Sequence, residues 1–434
     1  MVSRLLKRVR SIRELERAWH AIQDNARTSK SEEVKREVEE FTADAGSNIH
    51  SISYRLARGS FNFEPAKGIP IPKLGADGKK SKTKFRPIVL APLESRIVQR
   101  SVLEAIVSNK GMRKYIATPH SFGGVRKVGE GAVSAVPAAV AEVLRAIGDG
   151  AKYVACADIQ AFFTKIPKPD VRQIILGEIK DEEFVVFFDA AIKVELSNMA
   201  QLKEKAEAFP THEIGVAQGN SLSPLLGNIL LYEFDKVMNS GDCRCIRYID
   251  DFIILAPTKV AAKARLAKAR KILAGFGMLL SPEKSSKEPI AVEEKFEFLG
   301  IEFSNGFIRP NQKSRKRLLA QLDEVLNGSA YAFHQHETGA NFPRGQSLIQ
   351  ALRRADGVIQ GWGKHYRFSN DEKVFEALDS EVKVRLAKYI GSYVTARERA
   401  VVAEKQMLLG VERLQAIDRK PLQWPVTAHK PSAI

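Results

Sequence analysis

The stretch RYIDDFIILA, residues 247 to 256, sets Asp250 and Asp251 side by side between apolar runs. Neighbouring carboxylates repel, and an apolar strand gives neither of them water. Burial there is tolerable only with a hydrogen-bonding partner, a counter-charge or a metal ion. The flanking residues are short apolar runs rich in β-branched and aromatic side chains, which predicts two strands meeting at the acids. An ordinary turn at a strand end satisfies the same pattern, so the pair alone does not separate a plain turn from a metal site.

At 434 residues the chain is too long for one ordinary core and predicts two or three domains. Its 44% hydrophobic and 27% charged residues are those of a folded chain. No apolar run is long enough to span a bilayer. Charges interrupt the basic stretch MVSRLLKRVRSIRELERAW too often for the apolar core of a signal peptide, so a cytoplasmic location is expected. Cys156, Cys243 and Cys245 make no disulfide framework, and Cys-x-Cys without further ligands is poor zinc spacing. His334 and His336 in AFHQHETGANF read as part of a polar loop.

Charge narrows the function. A net +17 favours a polyanionic partner, with nucleic acid ahead of a membrane because no long basic amphipathic helix stands out. Basic residues gather near the amino end, in KLGADGKKSKTKFRP (73–87) and in KSRKR (313–317). Residues 1–60 read as a helical extension, with Ile12, Leu15, Trp19 and Ile22 at helical spacing in SIRELERAWHAI. Strands and helices alternate over 61–310. Residues 311–434 read as helical again, ending in the proline-rich DRKPLQWPVTAHKPSAI, for which no regular structure is expected. In that last region Arg315, Lys316 and Arg317 open an amphipathic helix. Arg353, Arg354, Lys364 and Arg367 surround Trp362 and Tyr366 on a second one. Both basic faces suit phosphates.

Other acids complete a pattern. YVACADIQAFFTKIP ends a strand on Asp158 and follows it with Phe162 and Phe163. Between Asp158 and the acid pair lies GVAQGNSLSPLLGNILL, a Gln-Gly loop running into an apolar helix. Carboxylates from separate strands are what a pair of divalent metals about 3.5–4 Å apart requires, and such a clamp serves phosphoryl transfer. Mg²⁺ suits a site with few carboxylates, filling its shell with water and substrate phosphates, and its charge would offset the crowded acids.

These motifs resemble those of reverse transcriptases. YIDD is similar to the family's Y-x-D-D, DIQAFF to its D-x-x-x-F-F, and QGNSLSPLLGNILL to its Q-G-x-x-L-S-P-L-L-x-N-I. LSPEKS resembles the lysine motif after the catalytic hairpin, FEFLGIEF the primer-grip hairpin, and KFRPIVLAPLESRIVQRSV with PHSFGG the fingers pattern. The resemblance covers about residues 65–310, with the motifs in family order. It implies an α+β right-hand polymerase fold: an amino-terminal helical extension (1–60), fingers and palm (61–310), and a helical thumb with a tail (311–434).

The resemblance also implies roles. Asp158, Asp250 and Asp251 become the catalytic, metal-holding acids for two Mg²⁺ ions, with Mn²⁺ as an alternative, and dNTPs the substrates. Asp251 acts mainly through its charge, since strand alternation gives it a different geometry from Asp250. Phe163 lies under the sugar and excludes a 2′-hydroxyl, the alternative being ordinary core. Gln218 lines the incoming nucleotide, Lys84 and Arg86 meet its triphosphate, and Lys284 is a candidate acid for pyrophosphate; solvated surface charge is the rival reading of these cations. Tyr248 is core or a backing for the primer end. Phe298, Leu299 and Gly300 grip the primer, and Arg315, Lys316 and Arg317 bind RNA.

Within the family, the fingers block and the thumb sequence GWGKHYRFSND…FEALD look closest to bacterial defence-associated enzymes, which make cDNA from a dedicated non-coding RNA. The partners this implies are that template RNA and the RNA/DNA hybrid. A group II intron maturase and reverse transcriptase without an endonuclease is the alternative. Against it, the intron signature G-x-D-G is missing where the chain reads NARTSKSEEVKREV, and no cysteine-rich endonuclease follows the thumb. Retron signatures are missing as well. A mainly RNA-binding scaffold is disfavoured by the intact acids and Gln218, and an RNA-directed RNA polymerase by the aromatic at 163. The helical, basic carboxy-terminal third gives no sign of an RNase H domain.

Overall fold

The computed structural model describes residues 3–29, 31–74, 80–124, 135–337 and 341–417. It divides into two units, Met1–Leu299 and Gly300–Ile434. Among the described residues no helix is long and apolar enough to cross a membrane. The tail 418–434 lies outside the described residues.

The first unit begins with helices Arg4–Val9, Ile12–Arg27, Glu32–Ala43 and Ala45–Ala57. Side chains of Ser3, Ser11, Ser31 and Asp44 accept hydrogen bonds from first-turn N–H groups, which would otherwise lack partners. The apolar stripe read from the sequence is the buried one. Leu15 and Trp19 face inward, and the Trp19 ring stands 4.5 Å from that of Phe41. Both belong to the same core as Ile97, Val98 and Val102 of helix Leu93–Ser108, so the amino-terminal helices share the core of this unit.

Strands β1 (Lys67–Leu74) and β2 (Lys80–Leu90) form an antiparallel hairpin that sets Ile71 opposite Arg86. A second sheet is built from β3 (Tyr153–Asp158), β4 (Arg244–Tyr248), β5 (Asp251–Ala256) and β6 (Ile290–Ala291), in the order β4-β5-β3-β6, with antiparallel neighbours. Phe252, Ile253, Ile254 and Leu255 of β5 are fully buried in a continuous run, as expected for a central strand covered on both faces. Helices Tyr232–Met238 and Lys259–Gly275 pack on this sheet. β7 (Phe296–Phe298) ends the unit.

The second unit opens with a hairpin of β8 (Ile301–Ser304) and β9 (Phe307–Pro310). Asn305 and Gly306 make its two-residue turn with φ of 49° and 79°, the left-handed pair that favours this dipeptide. Helices Gln312–Glu337, Leu348–Tyr366 and Glu372–Arg399 follow, joined by a core that includes Leu318, Leu322, Phe333, Ala351, Tyr389 and Tyr393. His334 and His336 lie within the first of these helices, not in a loop. Phe333 explains the difference: buried beside Tyr389 and Tyr393, it holds the polar end of the helix against the core, and tertiary packing overrides local polarity.

Candidate active site

The acids come together through strand register. Asp158, the last residue of β3, is paired with Asp251, the first of β5. Cross-strand neighbours in such a pair have Cβ atoms about 4.5–5.5 Å apart on one face. Asp250 stands one residue earlier, in the two-residue turn between Tyr248 and Asp251, and its carbonyl accepts the Ile159 N–H at 2.9 Å. Three carboxylates from two chain segments thus share one sheet end.

Positive charge falls short of the negative around them. Asp158 is 5% exposed. Its Oδ2 accepts a hydrogen bond from Lys284 Nζ at 2.7 Å. Burial raises the Asp251 carboxyl to about 7, helped by a hydrogen bond with Asp158 and by the charges of Asp250 and Asp158. Burial raises Asp250 too, with Asp158 adding to the effect and Lys284 and Arg86 partly offsetting it. Desolvation works against the Lys284 ammonium, but its contacts with Asp158, Asp251 and Asp250 outweigh this and hold it above the ordinary lysine range.

The donor set fits Mg²⁺ or Mn²⁺: hard carboxylate oxygens, partly buried, with negative charge in excess of nearby positive charge. Lys284 engages one of those oxygens, and among the described residues no three His, Cys, Asp or Glu side chains form a ready-made metal cage. A cation held by these carboxylates would compete with the ammonium for that oxygen. All three cysteines are free thiols.

The lysine turn is held in place by hydrogen bonds to the β3 backbone. Ser281 N donates to the Asp158 carbonyl at 2.7 Å, Asp158 N to Ser285 Oγ at 3.2 Å, and Cys156 N to Ser286 Oγ at 3.0 Å. Ser285, Ser286 and the neighbouring Glu283 were not singled out in the sequence, although the run SPEKSS was a signal that a polar turn had to find partners. Glu283 bonds Lys84 Nζ at 3.2 Å, linking the lysine turn to β2. Both groups are exposed, so this pair stabilises little. Arg86 is exposed on the same strand, and its charge reaches Asp250.

The aromatic turn follows Asp158 directly. Ala161 takes a left-handed φ of 52° and leads into the 3-10 turn Phe162–Lys165. Phe162 is buried against Gly227, where an added Cβ would stand 2.7 Å from its ring. Phe163 is half-buried, and its carbonyl accepts the Val216 N–H at 2.7 Å, which ties it to the segment carrying Gln218. Gln218 is half-buried; its carbonyl accepts the Val89 N–H at 2.8 Å. Gly219, at φ 119°, lies so close that a Cβ would stand 2.7 Å from the Val89 oxygen. Only glycine lets that loop dock on β2.

Asp158, Asp250, Asp251, Lys284, Arg86, Lys84, Phe163 and Gln218 all belong to the first unit. The residues expected to grip the primer fall on the border: Phe298 and Leu299 end the first unit and Gly300 begins the second. Phe298 is buried, and Leu299 and Gly300 have φ of 53° and 81°. Tyr248 is half-buried at the end of β4. In the second unit, Arg315, Lys316 and Arg317 lie near the start of helix Gln312–Glu337, whose Asn311 side chain accepts the Ser314 N–H at 2.9 Å. Lys316 and Arg317 are exposed, whereas Arg315 is half-buried with its Nε lacking a partner. Arg353, Arg354, Lys364 and Arg367 are exposed, while Tyr366 is buried.

Residues 72–303 match the family model for "Reverse transcriptase (RNA-dependent DNA polymerase)". The chain is 25% identical to Protein YkfC of Escherichia coli over 279 residues, 56% of this chain and 68% of that protein. It is 27% identical over 195 residues to an uncharacterized 91 kDa protein in the cob intron of Schizosaccharomyces pombe, covering 44% of this chain and 21% of that one. Among solved structures, an apo telomerase from Candida tropicalis aligns with a TM-score of 0.38 at 16% identity, over 60% of this chain and 59% of the telomerase. A partial Cas6-RT-Cas1–Cas2 complex aligns with a TM-score of 0.34 at 20% identity, over 64% of this chain and 43% of that one. The matched segment takes in all three acids, the Gln218 loop and the lysine turn, and covers more than half of the sequence; the chain belongs to the reverse transcriptase family of RNA-directed DNA polymerases.

Proposed function

We propose that this polymerase copies a non-coding RNA into cDNA by two-metal nucleotidyl transfer, and that the cDNA serves antiphage defence. The observation that carries the catalytic part is the convergence of Asp158, Asp250 and Asp251 at one sheet end, with Lys284 as the adjacent cation. In this reading the three carboxylates hold Mg²⁺. When bound, the metal would supply the positive charge that activates a primer 3′-hydroxyl and steadies the leaving pyrophosphate. Arg86 and Lys84 orient the triphosphate, and Gln218 lines the nucleotide. Lys284, next to the acids, is placed to give a proton to the leaving group. Phe163 meets the sugar and rejects a 2′-hydroxyl. The net +17 supports a polyanionic template.

An intron-encoded maturase role is the second reading, favoured by the 27% identity to the protein in the cob intron. Sequencing the RNA and DNA that copurify with the protein separates the two. One short non-coding RNA with complementary DNA is expected; a structured intron would favour the second reading. Primer extension on that RNA is expected to prefer dNTPs, and Phe163→Ala to lose much of the preference while keeping most DNA synthesis. Unchanged sugar selectivity in a folded variant would return Phe163 to plain core.

For the second unit we propose template binding by Arg315, Lys316 and Arg317. Positive charge in the first turns of a helix opposes its dipole, and a phosphate there relieves the conflict. Neutralising all three should weaken RNA binding and reduce its salt dependence by roughly 0.7 to 0.9 log units per lost phosphate contact. Unchanged affinity and salt slope would make these residues structural.

A further inference from the structure

Among the described residues Arg247 is the largest fully buried side chain, at 0% exposure, and it lies in β4 just before the acid turn. Its guanidinium has two edges in use. Nε and one terminal nitrogen grip Asp235 at 2.7 and 2.6 Å, a bidentate pair whose carboxylate is 2% exposed. The other terminal nitrogen donates to Asn228 Oδ1 at 3.2 Å and to the Ile249 carbonyl at 2.9 Å. Asn228 in turn accepts from Ser121 Oγ at 3.1 Å and donates to the Gly123 carbonyl at 3.0 Å. The backbone of Arg247 pairs with His120 and Phe122.

Ile249 is what this network acts on. It holds a φ of 60°, a left-handed conformation that is costly for a β-branched residue and that hairpin turns normally assign to glycine or asparagine. Its side chain is pressed from the other side by Gly123, where an added Cβ would stand 2.7 Å from Ile249 Cγ1. The next residue is Asp250. If Arg247 served only to neutralise Asp235, two apolar side chains could replace the pair without loss, as is often true of buried ion pairs. The bond to the Ile249 carbonyl has no such purpose. It fixes the peptide that leads into Asp250.

We infer that Arg247, anchored by Asp235 and Asn228, is a positioning residue: it holds Ile249 in its left-handed turn and so sets where the Asp250 carboxylate points. The inference rests on the reverse-transcriptase reading.

The test is the paired replacement Arg247→Met with Asp235→Leu, which removes both buried charges together, assayed beside Arg247→Lys and the wild type by primer extension. The paired variant should keep its thermal transition and its RNA affinity. Its kcat should fall about a hundredfold, as for a misplacement on the order of 1 Å, while KM for dNTP stays within about threefold. Arg247→Lys keeps the charge for Asp235 but not the fork, and its kcat should fall as well. Adding Ile249→Gly to the paired variant should restore part of kcat, because glycine takes a positive φ without support. A folded paired variant with kcat near wild type overturns the inference, and so does a loss that Ile249→Gly leaves untouched. If the paired variant does not fold, an unimpaired Arg247→Lys overturns it. An inactive wild type instead counts against the reverse-transcriptase reading and takes this inference with it, so the two failures are told apart.

Discussion

Replacing Asp250 and Asp251 together with Ala should abolish DNA synthesis, lowering the rate by on the order of a thousandfold or more, and leave the protein folded and able to bind RNA. The loss follows from removing two of the three carboxylates that meet at the end of β3 and β5. Retained folding follows from the same geometry. Burial raises both carboxyls, and together with Asp158 they crowd negative charge that the fold does not balance. Removing such groups relieves a cost instead of breaking a support. Asp158 differs, since its carboxylate bonds Lys284 and its strand also carries the lysine turn. Primer extension within tenfold of wild type in the double variant would sink the assignment of these acids to catalysis.

The second large effect is on stability. Asp251 sits near 7 in the folded protein against an ordinary value of 3.8. Below 3.8 both the folded and the unfolded chain hold this proton, and above 7 neither does. Between the two values the folded chain holds a proton that the unfolded chain has released, so rising pH pulls the equilibrium toward unfolding across that window. In EDTA, the wild type should therefore lose stability from about pH 4 to about pH 7, by up to a few kcal/mol from this group. Asp251→Asn should flatten that part of the profile and melt higher than wild type at pH 8. Added Mg²⁺ should reverse the order by favouring the ionised acids, more strongly at pH 8 than at pH 5. Thermal melts at the two pH values, with and without the metal, check this. A variant that melts lower than wild type at pH 8 in EDTA would refute it.

Much of the site was legible because its chemistry is written locally. The apolar runs around Asp158 and the acid pair form strands, since their length and side chains admit little else. The Gln-Gly loop was legible as a loop, but its close approach to the Val89 carbonyl oxygen was not. The register that sets Asp251 opposite Asp158 was not legible: it depends on which strand pairs with which, and residues 159–250 separate the two. Lys284 read as a candidate acid for pyrophosphate with surface charge as the rival, but its contact with Asp158 was not legible, because it comes from that turn pairing with β3. Arg247 was the largest omission. An arginine among apolar strand residues suggests a solvent-facing edge, and only the fold shows Asp235 beneath it. The helix through His334 and His336 was hidden for a related reason, since the side chain that extends it, Phe333, finds its partners some 60 residues later.

The contact between Phe162 and Gly227 limits how this chain can diverge. A glycine inside the helix Ser223–Leu230 gives up roughly 1 kcal/mol of helix propensity relative to alanine, so a drifting sequence would gain from filling the position. The ring of Phe162 leaves no room for that gain. Positions 162 and 227 therefore form one heritable unit: a descendant can enlarge the second only after shrinking the first, and the intermediate leaves a void beneath the turn that carries Phe163.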